Sequence, residues 1–139
     1  MEVLVHSLKS NNFKITPQRI AIYREIYHSK EHPNAETIYK RLEPNYPTIS
    51  LATVYKSLEL FADLNIIQII DIGGSSFRYD SNTSKHSHII CNICKKIEDV
   101  DNQIFQHLSS EVEAITNYKV ESQQLCFYGI CPSCANKVF

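Results

Sequence analysis

The chain has 139 residues, and its 14 basic and 15 acidic side chains give a formal charge of −1. A chain of this length suits one compact domain or two small ones. Its 43% hydrophobic and 21% charged residues are typical of a folded globular protein rather than a disordered one. No apolar run approaches the roughly 18 residues of a membrane span, and the start of the chain lacks the pattern of a signal peptide. We therefore expect a cytoplasmic protein.

Charge is distributed unevenly along the chain. A total near zero argues against a nucleic-acid partner, because phosphate-binding domains are usually basic. Residues 1–62, however, contain eight basic and six acidic side chains, a formal charge of +2, and the remaining residues carry −3. A modest positive charge in the first part predicts few phosphate contacts, so that tight DNA binding would need a dimer.

The first part of the chain has the pattern of several short helices. Residues 2–11 are weakly helical, and Thr16 followed by Pro17 is a typical helix start. Asn34 and Ser50 can each cap a further helix. The apolar stripes of these three helices are Ile20, Tyr23, Ile26 and Tyr27; Ala35, Ile38, Tyr39 and Leu42; and Leu51, Val54, Leu58 and Phe61.

After the last of these helices the hydrophobic period changes from helical to strand-like. Residues 66–72, the glycines at 73–74 and residues 75–80 predict a β-hairpin. Helices followed by a hairpin are the order of a winged helix-turn-helix domain, whose recognition helix enters the major groove of DNA. A small helical module that binds another protein has a similar pattern, and spacing alone does not separate the two.

The polar face of the predicted recognition helix, which also includes Ser57, supplies candidate DNA contacts. They are Ser50, Thr53, Tyr55 and Lys56 on this helix and Arg19 near the DNA backbone. A tyrosine can contact thymine methyl groups, and a lysine can reach a phosphate or a guanine edge. Tyr55 lies at the margin of the apolar stripe, so packing on the core is its alternative role.

A second unit begins at about residue 84. Residues 86–92 are strand-like, residues 102–117 predict an amphipathic helix, and residues 118–129 predict a final strand. The helix carries Ile104, Leu108, Val112 and Ile115, and the final strand carries Leu125 and Phe127 on one face. A unit of about 55 residues is marginally stable alone, so it usually needs a metal ion or a partner chain. The predicted fold class is α+β.

Four of the five cysteines form two CxxC pairs. Cys91 and Cys94 make the first pair, and Cys131 and Cys134 make the second. A two-residue spacer lets both sulfur atoms of a pair bind one tetrahedral Zn²⁺ ion, so we predict a structural zinc site. A thioredoxin-like redox pair, or unconnected buried cysteines, are the alternatives. The fifth cysteine, Cys126, is interpreted as a small buried hydrophobic residue.

Two histidines mark a second candidate metal site. His86 and His88 are separated by one residue on a predicted strand, so their side chains project from the same face. Asp80 and Asp99 are near enough in sequence for a turn or hairpin to bring their carboxylates alongside. Imidazole and carboxylate ligands together suit Fe²⁺, Mn²⁺, Co²⁺, Ni²⁺ or Zn²⁺, and a solvated strand face is the alternative. No nearby partner is evident for His6, His28 or His107, so we interpret them as solvated or packed residues.

Several motifs in a fixed order resemble the ferric uptake regulator (Fur) family of metal-dependent repressors. They are Ile15-Thr16-Pro17-Gln18-Arg19; His32-Pro33 with Ala35-Glu36-Thr37-Ile38-Tyr39; Ser50-Leu51-Ala52-Thr53-Val54-Tyr55; Asp80; His86-Ser87-His88; the two CxxC pairs; and Leu125 to Ile130. The resemblance covers nearly the whole chain. It implies a winged helix-turn-helix DNA-binding domain over residues 1–80, a hinge over 81–84 and an α/β dimerisation domain over 85–139. It also implies a homodimer that reads an inverted-repeat DNA operator.

The same resemblance implies the ligands of a regulatory ion. They are His32, Asp80, His86, His88 and Asp99. Aspartate at the last of these positions is typical of the peroxide-responsive members, so the implied ion is Fe²⁺ or Mn²⁺. Peroxide would then oxidise His32 or His86 and release the operator, which is sensing without enzymatic turnover. Gln123 and Cys126 depart from the usual residues of an additional metal site, and Lys95 stands where a glycine is frequent.

Three other functions remain open from the sequence. An iron- or zinc-responsive repressor on the same scaffold would act through reversible metal occupancy. A thiol–disulfide oxidoreductase would use the CxxC pairs for redox chemistry, so its thiols would react readily in the native protein. A zinc-stabilised protein-interaction module would have no role at DNA, and changes at Tyr55 and Lys56 would leave it unaffected.

Overall fold

The protein folds into two compact units, the first over Met1–Thr83 and the second over Ser84–Phe139. The computed structural model describes residues 1–27, 29–73, 76–84 and 86–138. His28, for which the sequence indicates no partner, and the second turn glycine at position 74 lie outside the described residues. Nowhere in these ranges is a helix both long and apolar enough to cross a membrane.

Four helices form most of the first unit. They are α1 (Glu2–Ser10), α2 (Pro17–Tyr27), α3 (Ala35–Leu42) and α4 (Leu51–Asp63). The predicted caps are confirmed: the backbone N–H of Arg19 donates to Thr16 Oγ1 at 3.2 Å, that of Thr37 to Asn34 Oδ1 at 2.8 Å, and that of Thr53 to Ser50 Oγ at 3.1 Å. These bonds satisfy backbone donors that a helix start otherwise leaves unpaired.

A β-hairpin completes the first unit. Strands β1 (Gln68–Asp71) and β2 (Phe77–Asp80) pair antiparallel, with Gln68 opposite Asp80. The hairpin is confirmed, but both strands are shorter than predicted. Ile66 and Ile67 precede β1 and are buried in the core instead of extending the strand.

The core of the first unit is built mostly from the predicted apolar stripes, and Ile38, Val54, Leu58 and Phe61 are almost completely buried. The stripe predicted for α2 is only partly correct, because Ile22 outside it is fully buried whereas Tyr27 within it is 49% exposed. At about 25 cal/mol per Å² of apolar surface, such burial is the main favourable contribution to folding. This packing fixes the angle of α4 against α2 and α3, and so defines which face of α4 remains exposed.

The second unit contains a three-stranded sheet. Its strands are β3 (Ser87–Cys91), β4 (Ile97–Val100) and β5 (Cys126–Gly129), in the order β4-β3-β5. Strand β3 runs antiparallel to β4 and parallel to β5. Helix α5 (Leu108–Thr116) and helix α6 (Pro132–Val138) complete this unit, with a 3₁₀ turn over Asn102–Phe105.

Two predicted elements of the second unit differ in extent. The predicted helix over residues 102–117 is a 3₁₀ turn followed by α5, with a break at residues 106–107. The predicted strand over residues 118–129 is paired only over Cys126–Gly129, and the side chains of residues 121–124 before it are exposed. Strand β4 and helix α6 were not predicted.

Candidate metal centres and nucleic-acid interface

The parallel pairing of β3 with β5 brings the two CxxC pairs together. Cys91 lies opposite Gly129 in this register, so β3 and β5 finish at the same end of the sheet. Each CxxC pair begins at that end, and the sulfur atoms lie within 4.8 Å of one another; they belong to Cys91, Cys94, Cys131 and Cys134. The turn after Cys91 places Lys95 at φ 64°, a conformation in which glycine has no steric cost.

Backbone donors surround one of the four sulfur atoms. Cys91 Sγ accepts hydrogen bonds from the N–H groups of Cys131 at 3.4 Å, Cys94 at 3.5 Å and Ile93 at 3.4 Å. These bonds, led by the one from Cys131, lower the pKa of the Cys91 thiol to about 6. Hydrogen bonding to the Cys131 sulfur raises the pKa of Cys134 to about 12. The hydrogen bonds therefore favour the thiolate form of Cys91, the form that binds a metal ion.

Four convergent sulfur donors fit Zn²⁺ better than they fit redox chemistry. A redox motif needs only two thiols, whereas here Cys94 Sγ is 3.8 Å from Cys131 Sγ, across the two pairs. Four thiolates around one point are the ligand set of a closed, structural zinc site. The small sheet and short helices of this unit would gain most of their stability from such an ion.

In the first unit, a histidine and an aspartate form a buried pair. His32 Nδ1 lies 3.7 Å from Asp80 Oδ1, and the two residues are 3% and 4% exposed. His32 has φ 52°, and Asp80 is the last residue of β2. The Asp80 carboxylate also accepts the backbone N–H of Asn82 at 2.9 Å. Asp80 is thus placed by β2, whereas His32 lies in the segment between α2 and α3.

In the second unit, two imidazoles converge on one carboxylate oxygen. The Nε2 atoms of His86 and His88 lie 3.5 Å and 3.3 Å from Asp99 Oδ1. The register explains this arrangement, because His88 is directly opposite Asp99 in the β3–β4 pair. His86 Nδ1 lies 2.7 Å from the carbonyl oxygen of Ser84. That contact requires a proton on Nδ1, so Nε2 of the neutral ring keeps its lone pair for a metal ion.

These imidazole and carboxylate groups meet the requirements of a divalent first-row metal. Neutral imidazole nitrogen and carboxylate oxygen are the donors preferred by Fe²⁺ and Mn²⁺, and a soft ion such as Cu⁺ would prefer sulfur. The prediction that His86 and His88 share one face agrees with their common approach to Asp99. The alternative of a solvated strand face does not fit His88, which is 6% exposed.

The remaining cysteine and histidines have other surroundings. Cys126 lies opposite His88 in the β3–β5 register and is half-buried, and burial raises the pKa of its thiol. His6 and His107 are exposed. Gln123 Oε1 accepts a hydrogen bond from the hydroxyl of Ser109 at 2.5 Å, so it fastens the segment before β5 to helix α5.

An open groove of about 580 Å³ crosses the surface of the first unit. Its lining includes Lys14, Arg19, Thr53 and Lys56. Three of these four residues were predicted as DNA contacts. Lys14 was not among the predicted contacts, although it lines the groove and a basic residue just before the predicted helix start was a usable signal. A groove with three cations and a hydroxyl suits a phosphate backbone.

Individual side chains of this surface have more specific roles than predicted. The Arg19 guanidinium donates to the carbonyl oxygen of Lys14 at 2.5 Å and lies 5.9 Å from the centre of the Phe13 ring, so it also orders the segment before α2. The hydroxyl of Ser50 is used for the helix cap. Ser57 lines the same groove as Thr53 and Lys56, so it lies on their face of α4 as predicted, but it is buried.

Tyr55 has the core-packing role that was the alternative for it, and its hydroxyl binds a neighbouring helix. Its ring packs partly against the core of the first unit. Its hydroxyl donates to Glu36 Oε1 at 2.7 Å. This bond lowers the pKa of Glu36 and raises the pKa of Tyr55. The sequence offered no signal for this partnership, because Glu36 is on a different helix.

A helical domain with a β-hairpin wing and an exposed basic groove, followed by a unit with candidate metal ligands, is the architecture of metal-dependent transcriptional repressors. The chain matches the Ferric uptake regulator family over residues 10–128. The peroxide-responsive repressor PerR of Staphylococcus aureus is 38% identical to it over 137 residues, which are 99% of this chain and 93% of that protein. The chain therefore belongs to the ferric uptake regulator family.

Solved structures give the same result. The ferric uptake regulator of Helicobacter pylori, a protein with three functional metal-binding sites, is 27% identical with a TM-score of 0.82. The alignment covers 96% of this chain and 90% of that one. The peroxide stress regulator of Campylobacter jejuni is 30% identical with a TM-score of 0.75, over 94% of this chain and 98% of that one. The predicted resemblance and fold class are thus confirmed.

Proposed function

We propose that this chain is a homodimeric repressor that binds its operator while Fe²⁺ or Mn²⁺ occupies a regulatory site, and releases it after peroxide oxidises that site. A separate Zn²⁺ ion on the four convergent cysteines is structural. The observation that carries the proposal is the approach of His86 and His88 to one oxygen of Asp99. The protein acts by changing its affinity for DNA and turns over no substrate.

Both units supply ligands in this proposal. The proposed set is His32, Asp80, His86, His88 and Asp99. The first two belong to Met1–Thr83 and the other three to Ser84–Phe139. One ion bound by all five would fix the arrangement of the units about a hinge over residues 81–84. Moving a two-state hinge from about 1:99 to about 99:1 needs roughly 10⁴-fold preference for one state, which a multidentate site can provide.

Helix α4 is the proposed recognition helix. One groove is lined by Thr53 and Lys56 of α4 and by Arg19 of α2. The other proposed contacts are Ser50 at the start of α4 and Tyr55 on the flank of that helix. Tyr55 would contact thymine methyl groups, and Lys56 a phosphate or a guanine edge. Two copies related by a twofold axis would read an inverted repeat.

A second copy of the chain is the proposed partner of the second unit. Four large apolar side chains around α5 are exposed: Leu108, Val112, Ile115 and Tyr118. Ile115 is 82% exposed and Tyr118 76%, which is unusual for a contiguous apolar segment of a monomer. A homodimer would cover this surface with its symmetric equivalent.

Peroxide sensing is proposed because the S. aureus relative is a peroxide-responsive repressor. When bound, Fe²⁺ would supply the redox chemistry that activates peroxide, and it would regain from the ring any electron that it gives, so the iron would undergo no net oxidation. The targets would be His32 and His86. One oxygen atom of peroxide is transferred to a ring carbon, whose hydrogen moves to nitrogen as the C=O bond forms, and the other oxygen leaves as water. The two-electron oxidation of the ring balances the two-electron reduction of peroxide, and the product is a poorer ligand.

Metal-dependent operator binding tests the proposal. Zinc-loaded protein is titrated with Mn²⁺ in the presence of a labelled operator, using the wild type, His32→Ala, His88→Ala and the control His107→Ala. We expect Mn²⁺ to strengthen operator binding in the wild type and the control, and to have little effect in the other two variants. Equal Mn²⁺ dependence in all four proteins would contradict the proposed site. Operator binding that survives peroxide on Fe²⁺-loaded protein would favour an iron- or zinc-responsive repressor instead.

A further inference from the structure

Strand β2 holds the segment that carries His32 through three successive residues. The Arg78 guanidinium donates through Nε to the carbonyl oxygen of His32 and through an Nη atom to that of Glu31, the latter at 2.5 Å. The backbone N–H of Tyr79 donates to the carbonyl oxygen of Pro33 at 3.1 Å. Asp80 then faces the His32 ring. Each of residues 78–80 therefore contacts the segment 31–33.

The bound segment has a backbone conformation that needs such support. His32 has φ 52°, the left-handed region that is unfavourable for a residue with a Cβ atom. A strained conformation of this kind persists only where the surroundings determine it. Arg78 donates to the carbonyl groups of Glu31 and His32, which belong to the peptide units before and after the His32 Cα atom. Its planar guanidinium suits two neighbouring carbonyl groups.

We infer that Arg78 is a positioning residue for the regulatory ligand His32. It acts on the backbone of residues 31 and 32 and so aims the imidazole toward Asp80, without itself binding the ion. The inference rests on the proposed function, since it assumes that His32 is a metal ligand. Because strand β2 carries both Arg78 and Asp80, we also expect the hairpin and residues 31–33 to move together.

A matched control is available in Arg41. Its guanidinium contacts the side chain of Glu31 at 3.3 Å and that of Glu25 at 3.8 Å. It therefore shares a neighbour with Arg78, but it pairs with carboxylates, whereas Arg78 binds the carbonyl groups that hold His32. Replacing Arg41 removes a cation near residue 31 and leaves the hydrogen bonds of Arg78 in place.

The experiment compares the wild type with Arg78→Ala, Arg78→Lys, Arg41→Ala and His32→Ala, all zinc-loaded. We expect Arg78→Ala to weaken Mn²⁺ binding by roughly 10- to 100-fold, the usual effect of losing a group that orients a ligand. Arg78→Lys, which keeps the charge without the fork, should lose part of the affinity, and Arg41→Ala should bind like the wild type. At saturation with Co²⁺, the visible ligand-field bands of Arg78→Ala should differ from those of the wild type, because the ligand geometry has changed.

A readout without regulatory metal separates positioning from general stability. The backbone amides of Glu31, His32 and Asn34 should exchange faster in Arg78→Ala than in the wild type, while those of α4 remain protected. Wild-type Mn²⁺ affinity in Arg78→Ala, an equal loss in Arg41→Ala, or an unchanged Co²⁺ spectrum would overturn the inference. If His32→Ala itself binds Mn²⁺ like the wild type, the proposed ligand set fails. If only His32→Ala loses affinity, the ligand set stands and the role of Arg78 is refuted.

Discussion

The hydroxyl of Tyr55 on α4 donates a hydrogen bond to the carboxylate of Glu36 on α3, at 2.7 Å. The two residues are 19 positions apart, so the contact joins the proposed recognition helix α4 to the preceding helix α3. It fixes the far end of a side chain whose ring already packs against the core. The orientation of Tyr55 is thus set before any DNA is bound.

Replacing Tyr55 with phenylalanine should weaken operator binding with only a small loss of stability. The hydrogen bond is solvent-exposed, so its contribution to the unfolding free energy is at most about 1 kcal/mol. The pKa of Glu36 is lowered and that of Tyr55 is raised. The bond therefore stabilises the folded state above the ordinary glutamate pKa of about 4.3 and below the ordinary tyrosine pKa of about 10. Urea unfolding of wild type and Tyr55→Phe should differ at neutral pH and coincide in acid.

Replacing Lys56 with alanine should reduce the salt dependence of operator binding. Removing one phosphate contact reduces the slope of log affinity against log salt by about 1. Lys9→Ala removes an exposed lysine at the end of α1 and serves as the control. Titrations of labelled operator at several salt concentrations make the comparison. An identical reduction in both variants would show that only total charge matters, and Lys56 would not be a specific contact.

Removing zinc should unfold the second unit. Structural zinc supplies folding free energy comparable to the entire stability of a domain. Cys94→Ser should lose zinc and the circular dichroism signal of this unit, whereas Cys126→Ser should retain both. Protons compete with the ion for sulfur, and the pKa of Cys91 is lowered to about 6 while that of Cys134 is raised to about 12. Zinc affinity should therefore fall as the pH falls, and zinc retained by Cys94→Ser would contradict the assignment.

Placing a charge on the exposed apolar surface of α5 should dissociate the proposed dimer. Ile115→Asp changes a residue that is 82% exposed, so the fold of the single chain has little to lose. Val3→Asp makes the same kind of change on α1, where the side chain is 56% exposed. Sedimentation equilibrium should show monomers for the first variant and dimers for the second. Dimers in both would place the interface elsewhere.

Features that depend on local contacts could be predicted from the sequence. Thr16, Asn34 and Ser50 could be predicted as caps because a cap involves only one side chain and a backbone N–H three residues away, and these hydrogen bonds are observed. The spacing within each CxxC pair likewise determines its geometry over a few residues. The helices and the hairpin follow from hydrophobic period, which requires only a short stretch of chain.

Features that depend on distant partners could not be predicted in the same way. Strand β4 has only four residues, of which one is buried, and its pairing with β3 defines it more than its composition does. The bond of Tyr55 to Glu36 and the hydrogen bonds of Arg78 with residues 31 and 32 join segments far apart in sequence. Such partners meet only when helices and strands have been packed together.

The most direct test of peroxide sensing is the mass of the protein after a single exposure to peroxide. Zinc-loaded protein receives Fe²⁺ under anaerobic conditions and then a small excess of hydrogen peroxide, and the Mn²⁺-loaded protein is treated in parallel. We expect the iron form to gain the mass of one oxygen atom on the peptide of His32 or His86 and to lose operator binding, while the manganese form is unchanged. An unmodified iron form that keeps its operator, or a gain confined to cysteine, would contradict the account.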